Sequence, residues 1–274
     1  MEQRTIAFIG GGNMARSLIS GLINGGHPAE RILVTDLDLD KLAALHEEFG
    51  VQTGSDNTAA ARAADVLVLA IKPQFMAEML EALTRELGDY GNKLVVSIAA
   101  GIQIARLSTL LGGHSTIVRA MPNTPALIGL GMTGLFAPKT VSVADCTFAE
   151  QMLQAVGKTV WVGKESDLNS VIAASGSAPA YFFLFMQLMA EEAERMGFSA
   201  EQARQLVQQT ALGSAQMVIN NPHLDLETLR AQVTSKGGTT AEAIRSFQEQ
   251  GLADLVNDAM RAAVKRAEEM EQLF

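Results

Sequence analysis

The glycines that follow the first apolar run are the earliest residues whose types and spacing could do chemistry. In "FIGGGNMA", Gly10, Gly12 and Ala15 have the spacing G-x-G-x-x-A. The first glycine permits a tight turn, the second lets the backbone approach a pyrophosphate, and the small third residue allows a helix to pack closely on a strand. The same pattern also fits any tight turn between a strand and a helix. Because it lies in a repeated strand-helix pattern, it predicts a dinucleotide site at the helix N-terminus.

An acidic residue follows the second apolar run, "RILVT". There Asp36 would accept hydrogen bonds from the ribose 2′-OH of NAD and repel the 2′-phosphate of NADP. By this mechanism the cofactor is NAD. Asp38 and Asp40 have another explanation, since carboxylates favour the start of a helix, and the Thr35 hydroxyl could donate to a phosphate.

Three further segments stand where predicted strands end. They are "AIKPQ" from Ala70, "SIAAG" from Ser97 and "AMPNTPALIGLG" from Ala120. Ligands of open α/β sheets bind at the carboxyl ends of the strands. Lys72 could reach a phosphate, although Pro73 also suits the first turn of a helix. The two prolines of the third segment predict a rigid loop that faces the nicotinamide or the substrate.

Two polar interruptions break the helical pattern of the second half, "ASGSAPAYFF" and "TSKGGTTAEAI". Glycine and proline weaken a helix and free backbone N–H groups, which can hold a carboxylate. Simple kinks are the alternative. Two such breaks favour a shared small anionic ligand. In the second break, Thr239 and Glu242 have capping-box spacing, with Gly237 and Gly238 predicted to end the preceding helix.

The elements that position these residues change character along the chain. Runs rich in valine, isoleucine and leucine, each followed by a helical pattern, predict a Rossmann-like, doubly wound parallel sheet. Short strands near "MTGLFA" and "KTVWVG" flank a helix and should extend that sheet. From about Asp167 the pattern is entirely helical. We therefore predict an α/β fold with an NAD(P)-binding domain over 1–164 and an all-α domain over 165–274.

The helical half is more apolar than a small free-standing bundle requires. Phe182, Phe183 and Phe185 lie on several faces of one predicted helix, which indicates burial against a second copy of the chain. The alternative is a central core helix within one protomer. The most apolar run, from Ala178, is about 13 residues, shorter than the roughly 20 needed to span a bilayer. With no signal-peptide pattern at the N-terminus, we expect a cytoplasmic protein.

Composition limits the classes of partner. The net charge of −9 argues against nucleic acid and anionic membranes, so a small molecule or a protein is expected. The single cysteine, Cys146, excludes an internal disulfide framework. The four histidines have no metal-ligand spacing, and no metal is expected.

Taken together, the motifs resemble one enzyme family over essentially the whole chain. "FIGGGNMA", "AIKPQ", "SIAAGI", "RAMPNTPA", "SGSAPAYFF" and "TSKGGTTAEAI" have the order and spacing of pyrroline-5-carboxylate reductases. The resemblance implies NAD(P)H-dependent reduction of 1-pyrroline-5-carboxylate to L-proline. It also implies a Rossmann domain and a helical domain that forms homodimers, often assembled into decamers. The family mostly prefers NADP, whereas Asp36 argues for NAD, so both cofactors stay open.

The resemblance also implies roles for individual residues. The glycine loop would hold the pyrophosphate, and the loops after the later strands would reach the nicotinamide. The two polar interruptions would close over the substrate, with Thr240 as the catalytic residue next to the ring nitrogen. The residues predicted to bind the cofactor are Gly10, Gly11, Gly12, Asn13, Met14, Thr35, Asp36, Asn57, Ala70, Ile71, Lys72, Pro73, Ala99, Ala100, Gly101 and Pro122. Those predicted to bind the substrate are Met121, Asn123, Ser175, Gly176, Ser177, Ala178, Gly237, Gly238 and Thr239.

Two positions depart from the family pattern. Ala178 stands where glycine or serine is usual, and Lys236 replaces the usual proline before Gly237. A lysine near a nicotinamide could act as an acid or base, as in the 3-hydroxyacid dehydrogenase and imine reductase group. A dinucleotide sensor without catalytic activity is a third class of function.

Overall fold

The computed structural model describes residues 2–274, and its centre is one eight-stranded sheet in the order β3-β2-β1-β4-β5-β6-β7-β8. The strands are β1 (Ile6–Ile9), β2 (Ile32–Thr35), β3 (Gln52–Gly54), β4 (Val66–Leu69), β5 (Leu94–Ser97), β6 (Ile117–Met121), β7 (Gly131–Phe136) and β8 (Gly157–Trp161). This order places β1 and β4 side by side, although β2 and β3 lie between them in the chain. The crossover forms the switch point at which open α/β sheets bind ligands. The predicted doubly wound sheet is confirmed.

The central strands are apolar throughout because both faces of the sheet are covered. Every residue of β1, β4, β5 and β6 is buried, as expected for strands with helices on both sides. The helices between the strands are α1 (Asn13–Asn24), α2 (Leu39–Phe49), α3 (Asn57–Ala63), α4 (Met76–Leu87), α5 (Ile104–Leu110) and α6 (Val143–Gln154). Two apolar clusters pack against this sheet, one containing Phe8 and Val96 and the other Ile9 and Val95.

Two parts of the sheet were not predicted. Strand β3 and helix α3 are short, and all three residues of β3 are exposed, so no apolar period marks the strand. Strand β7 pairs antiparallel with β6, while β8 is parallel to β7. The predicted strands near "MTGLFA" and "KTVWVG", with a helix between them, are confirmed.

After β8 the chain is helical. The helices are α7 (Asp167–Val171), α8 (Ala178–Arg195), α9 (Ala200–Asn220), α10 (Leu226–Gln232), α11 (Thr239–Glu249) and α12 (Leu252–Leu273). The chain forms two compact units: the part up to Ser177 together with Ala262–Phe274, and Ala178–Arg261. The sheet unit thus contains the carboxyl end of α12. The sequence-based boundary between 164 and 165 stays a prediction.

Each predicted interruption has a defined geometry. Ile172–Gly176 forms a π-helical turn between α7 and α8, closed by the Ser177 N–H donating to Ile172 O at 2.8 Å. Helix α11 is N-capped by Gly238, with no side-chain cap. The predicted Thr239–Glu242 capping box is therefore wrong, because Thr239 is already helical. The preceding helix ends at Gln232, well before the predicted end at Gly237.

Candidate dinucleotide-binding site

Position 10, the first residue of the loop after β1, accepts only glycine, because of its backbone angle and because of the atoms close to it. Gly10 has a φ of +104°, which side chains disfavour. A Cβ placed there would lie 2.6 Å from the Ala70 carbonyl oxygen. The Gly10 N–H donates to Thr35 O at 2.7 Å. The residue thus lets the ends of β1, β2 and β4 meet closely.

Gly12 has the opposite environment. Its φ of −72° suits any residue, and a Cβ there would meet nothing within 4 Å. It is the N-cap of α1, and no side chain caps that helix. Ala15, one turn later, is buried against the core. The loop therefore turns bare backbone and the positive end of α1 toward open space, as a pyrophosphate site needs.

A cavity of about 550 Å³ lies at this loop. Eight sequence-predicted cofactor residues line it, and they are Gly10, Gly12, Thr35, Asp36, Asn57, Ala70, Ile71 and Lys72. The predicted residues Gly11, Asn13, Met14 and Pro73 are their chain neighbours but do not line it. A larger cleft of about 700 Å³ beside Arg4 and Lys93 lies at the amino ends of the strands, where such sheets do not bind ligands.

Several lining residues were missed from the sequence. They are Ile9, Leu37, Lys41, Ser55, Phe75, Glu78, Met79 and Ala82. Lys41 carried a usable signal, since it lies in the first turn of the helix that follows Asp36. Ser55 carried none, because it follows β3, which has no apolar pattern.

The carboxylate of Asp36 is held by its own surroundings. Its Oδ2 accepts from the Gly11 N–H at 2.8 Å and from Lys41 Nζ at 3.1 Å, and its Oδ1 accepts from the Asp38 N–H at 3.0 Å. Burial disfavours the charged form, but these hydrogen bonds outweigh it, and the pKa of Asp36 lies below its ordinary value. The carboxylate that the sequence predicts as a ribose ligand is thus bonded to the glycine loop and paired with a lysine.

The predicted cofactor residues Thr35 and Asn57 line the same cavity from two different elements. The buried Thr35 hydroxyl donates to Phe8 O at 3.4 Å, which directs it toward the sheet. Asn57 is the first residue of α3, whose N-cap Asp56 accepts from the Thr58 and Ala59 N–H groups. Asn57 therefore lines the cavity from a helix N-terminus.

The predicted loop after β6 is joined to the π-helical turn. Asn123 Nδ2 donates to Ser175 O at 3.2 Å and to Ser175 Oγ at 3.1 Å, and Asn123 Oδ1 accepts from the Met132 N–H at 2.8 Å. A Cβ on Gly176 would lie 3.8 Å from Met121 Cγ. The structure thus brings together four residues that the sequence placed in two separate motifs. Pro122 lies between two of them in the chain.

The remaining site residues fall into two groups. Ala99, Ala100 and Gly101 follow β5, and Gly101 has a φ of +75°. Ala178, Gly237, Gly238, Thr239 and Thr240 belong to the helical unit. Within that unit Thr240 lies exposed in the first turn of α11. Among residues 2–274, no group of three or more histidine, cysteine, aspartate or glutamate side chains could hold a metal ion.

A Rossmann-like sheet with a bare glycine loop at its switch point defines a dinucleotide-dependent oxidoreductase. Family models agree: "NADP oxidoreductase coenzyme F420-dependent" matches residues 5–101, and "Pyrroline-5-carboxylate reductase dimerisation" matches residues 165–270. Pyrroline-5-carboxylate reductase of Vibrio alginolyticus is 55% identical over the full length of both chains. The chain belongs to the pyrroline-5-carboxylate reductase family.

Solved structures support the same assignment. A pyrroline-5-carboxylate reductase from Coxiella burnetii superposes with a TM-score of 0.91 at 42% identity, covering 98% of this chain and 99% of that one. The Plasmodium falciparum pyrroline carboxylate reductase, solved with NADP bound, has a TM-score of 0.86 at 28% identity and covers 99% of both chains.

Proposed function

We propose that this protein reduces 1-pyrroline-5-carboxylate to L-proline with NAD(P)H. The observation that carries the proposal is the bare, glycine-lined helix N-terminus at the switch-point cavity. It occurs in a chain that matches enzymes of this name over its whole length. The rival dehydrogenase and sensor functions have no such support.

The cavity fits a dinucleotide by its volume and by the backbone donors at its edge. A Cβ on Gly12 would meet no atom within 4 Å, so the backbone there is open to a ligand. The N–H groups of Gly12 and of the first turn of α1 would therefore hold the pyrophosphate. Asn57 and Lys41 line the cavity where the adenosine ribose would lie. NAD(P)H, when bound, supplies the hydride. The protein's own part is to bind, orient and exclude water.

The substrate needs little chemical activation. A protonated cyclic imine is already a good hydride acceptor, so positioning and a hydrogen bond at the ring nitrogen are sufficient. We assign that hydrogen bond to the Thr240 hydroxyl, at the exposed N-terminal turn of α11. The neighbouring Gly237, Gly238 and Thr239, with Ala178 of the same helical unit, would hold the substrate carboxylate. Asn123 donates through Nδ2 to Ser175 and accepts through Oδ1 from the Met132 N–H, so Asn123 would shape the loop after β6 more than it contacts substrate.

Self-association is the second part of the proposal. Phe182, Phe183 and Leu184 expose more than half of their surface on α8, and the helical run Asp167–Arg195 is long and apolar enough to cross a membrane by length and composition. That run is longer than the 13 residues read from the sequence. Because the dimerisation model covers it, we assign the exposed face to a second copy of the chain. The active form would then be at least a homodimer, which would work in the cytoplasm.

The decisive experiment follows oxidation of NADH and NADPH, separately, with 1-pyrroline-5-carboxylate as acceptor. We expect turnover with at least one cofactor and proline as the product. Absence of turnover with both would refute the assignment. Oxidation with a 3-oxoacid in place of the imine acid would indicate the dehydrogenase class, and cofactor binding without turnover of any acceptor would indicate a sensor.

A further inference from the structure

A buried charged cluster lies apart from the cavity and has no role in the function proposed above. Arg119, in the middle of β6, is 1% exposed, and no other lysine or arginine among residues 2–274 is fully buried. Its Nη1 donates to Glu165 Oε1 at 2.7 Å and lies 3.5 Å from Glu271 Oε1. Glu165 Oε1 also accepts from the Ile104 N–H at 2.7 Å. The cluster therefore joins β6, the turn before α7, the start of α5 and the end of α12.

The carboxyl end of α12 is attached to the segment after β5 at two more points. Gln103 Nε2 donates to Glu271 Oε2 at 2.9 Å, and Arg106 Nε donates to Phe274 O at 3.0 Å. Glu271 thus bonds at one oxygen to a strand and at the other to the residue that caps α5. Its side chain is 9% exposed, so water weakens these contacts little.

The same end of α12 lies directly against the loop Ala99–Gly101, which is predicted to reach the nicotinamide. A Cβ built on Gly101 would lie 2.8 Å from Met270 Cβ. The loop Ala99–Gly101 therefore has no free space on the α12 side. Because close-packed atoms transmit strain, a shift of the carboxyl end of α12 toward Gly101 would displace the loop Ala99–Gly101.

Some polar atoms in and beside the cluster have no hydrogen-bond partner among residues 2–274. Arg119 Nε and Nη2 and the buried Ser97 Oγ find no hydrogen-bond partner within the described chain, and Ser97 and Arg119 are paired across β5 and β6. Well-packed apolar side chains are often more stable than such a buried charged group. Local costs of this kind are expected where function requires them.

We propose that Arg119 and Glu271 are positioning residues, which fix the end of α12 under the loop Ala99–Gly101 and so set where that loop meets the nicotinamide. This inference rests on the proposed function. Neither residue touches the reacting atoms. Each acts through Met270 and Gly101, and loss of the cluster misplaces the hydride donor without removing a cofactor contact.

The test compares Glu271→Ala and Glu271→Gln with the matched control Glu269→Ala. Glu269 lies on the same helix, half-exposed, and pairs only with Arg266 at 2.9 Å. For Glu271→Ala we expect faster hydrogen exchange at residues 98–103 in the cofactor-free protein and a cofactor Kd within about threefold of wild type. We expect kcat to fall about tenfold or more and the primary isotope effect from deuterated NAD(P)H to rise, since misplacement by about 1 Å costs up to about a hundredfold. Glu271→Gln should restore part of kcat, because its Oε1 can still accept from Arg119 Nη1, whereas its Nε2 can bond Gln103 only if the Gln103 amide turns to present its oxygen.

The outcomes that overturn the inference are distinct from failure of the proposed function. If Glu271→Ala matches Glu269→Ala in exchange, kcat and isotope effect, the positioning role is refuted. A lower melting temperature with an unchanged isotope effect would show a structural role only and would also refute it. If Glu271→Ala does not fold, Arg119→Lys must show the same loop exchange and isotope effect, or the inference fails. A wild type that never reduces the imine acid refutes the function, and the exchange and Kd measurements then still decide whether the loop is positioned this way.

Discussion

Gly10 and Gly12 are two residues apart in the glycine loop, yet they differ in φ and in the space around their α-carbons. Alanine at Gly10 would keep the φ of +104° and place Cβ 2.6 Å from Ala70 O. The backbone conformation costs about 1–3 kcal/mol, and the overlap about 1–3 kcal/mol more. We therefore expect Gly10→Ala to lower the free energy of unfolding by about 2–6 kcal/mol.

Alanine at Gly12 should do the reverse. With a φ of −72° and no atom within 4 Å of the new Cβ, the change in stability should stay within about 0.5 kcal/mol. The methyl group would occupy the space in which the pyrophosphate approaches the backbone. We expect the Kd for NAD(P)H to rise at least about tenfold, which is about 1.4 kcal/mol.

Thermal denaturation and cofactor titration on both variants provide the measurement. At about 2–4 °C per kcal/mol for a unit of this size, Gly10→Ala should lower Tm by about 4 °C or more, and Gly12→Ala should leave it near wild type. A wild-type melting curve for Gly10→Ala would refute the close-approach argument. Wild-type affinity in Gly12→Ala would show that the pyrophosphate does not lie against Gly12.

Four further changes test the rest of the site and the oligomer. Lys41→Met should raise the Kd for NADPH about fivefold relative to NADH in parallel titrations, since one partly screened charge near a phosphate is worth about 1 kcal/mol. The pKa of Asp36 is lowered on folding, so the stability that its carboxylate contributes is present at neutral pH and is lost as pH falls through that lowered pKa. The difference in unfolding free energy between wild type and Asp36→Asn should therefore vanish in acid, and a constant difference across pH would contradict this sign. Thr240→Val should lower kcat at least about tenfold with an unchanged melting curve, and wild-type kinetics would remove the residue from the mechanism. Phe182 is 68% exposed, so Phe182→Glu should shift the mass measured by light scattering toward the monomer, whereas a wild-type mass would place the interface elsewhere.

Local patterns predicted the parts of the fold that depend on local physics. Buried parallel strands need apolar residues on both faces, so β1, β4 and β5 could be recognised without any partner in view. The glycine loop was recognisable because a positive φ and a close approach each demand glycine. The helical interruption at Ser175 was predicted from glycine and proline alone, although its π-helical geometry was not.

Errors occurred where the chain's local preferences were ambiguous. Thr239 and Glu242 have capping-box spacing, yet Gly238 is the N-cap, because spacing does not specify which residue first adopts helical backbone angles. Strand β3 has three exposed residues and owes its extended form to hydrogen bonds with β2. A pairing of this kind leaves no periodic apolar pattern from which the strand could be predicted.

The sequence by itself determined the class of sheet, the glycine loop and the enzyme family, since these depend on residue type and short spacing. Only the tertiary structure decided what the charged residues do. Asp36 bonds to Gly11, 25 positions away, and Arg119 meets Glu271 across 152 positions. Such contacts depend on where the fold places side chains that are remote in the chain. For that reason only the structure shows that the Asp36 carboxylate, which the sequence suggests as a ribose ligand, also accepts a hydrogen bond from the glycine loop.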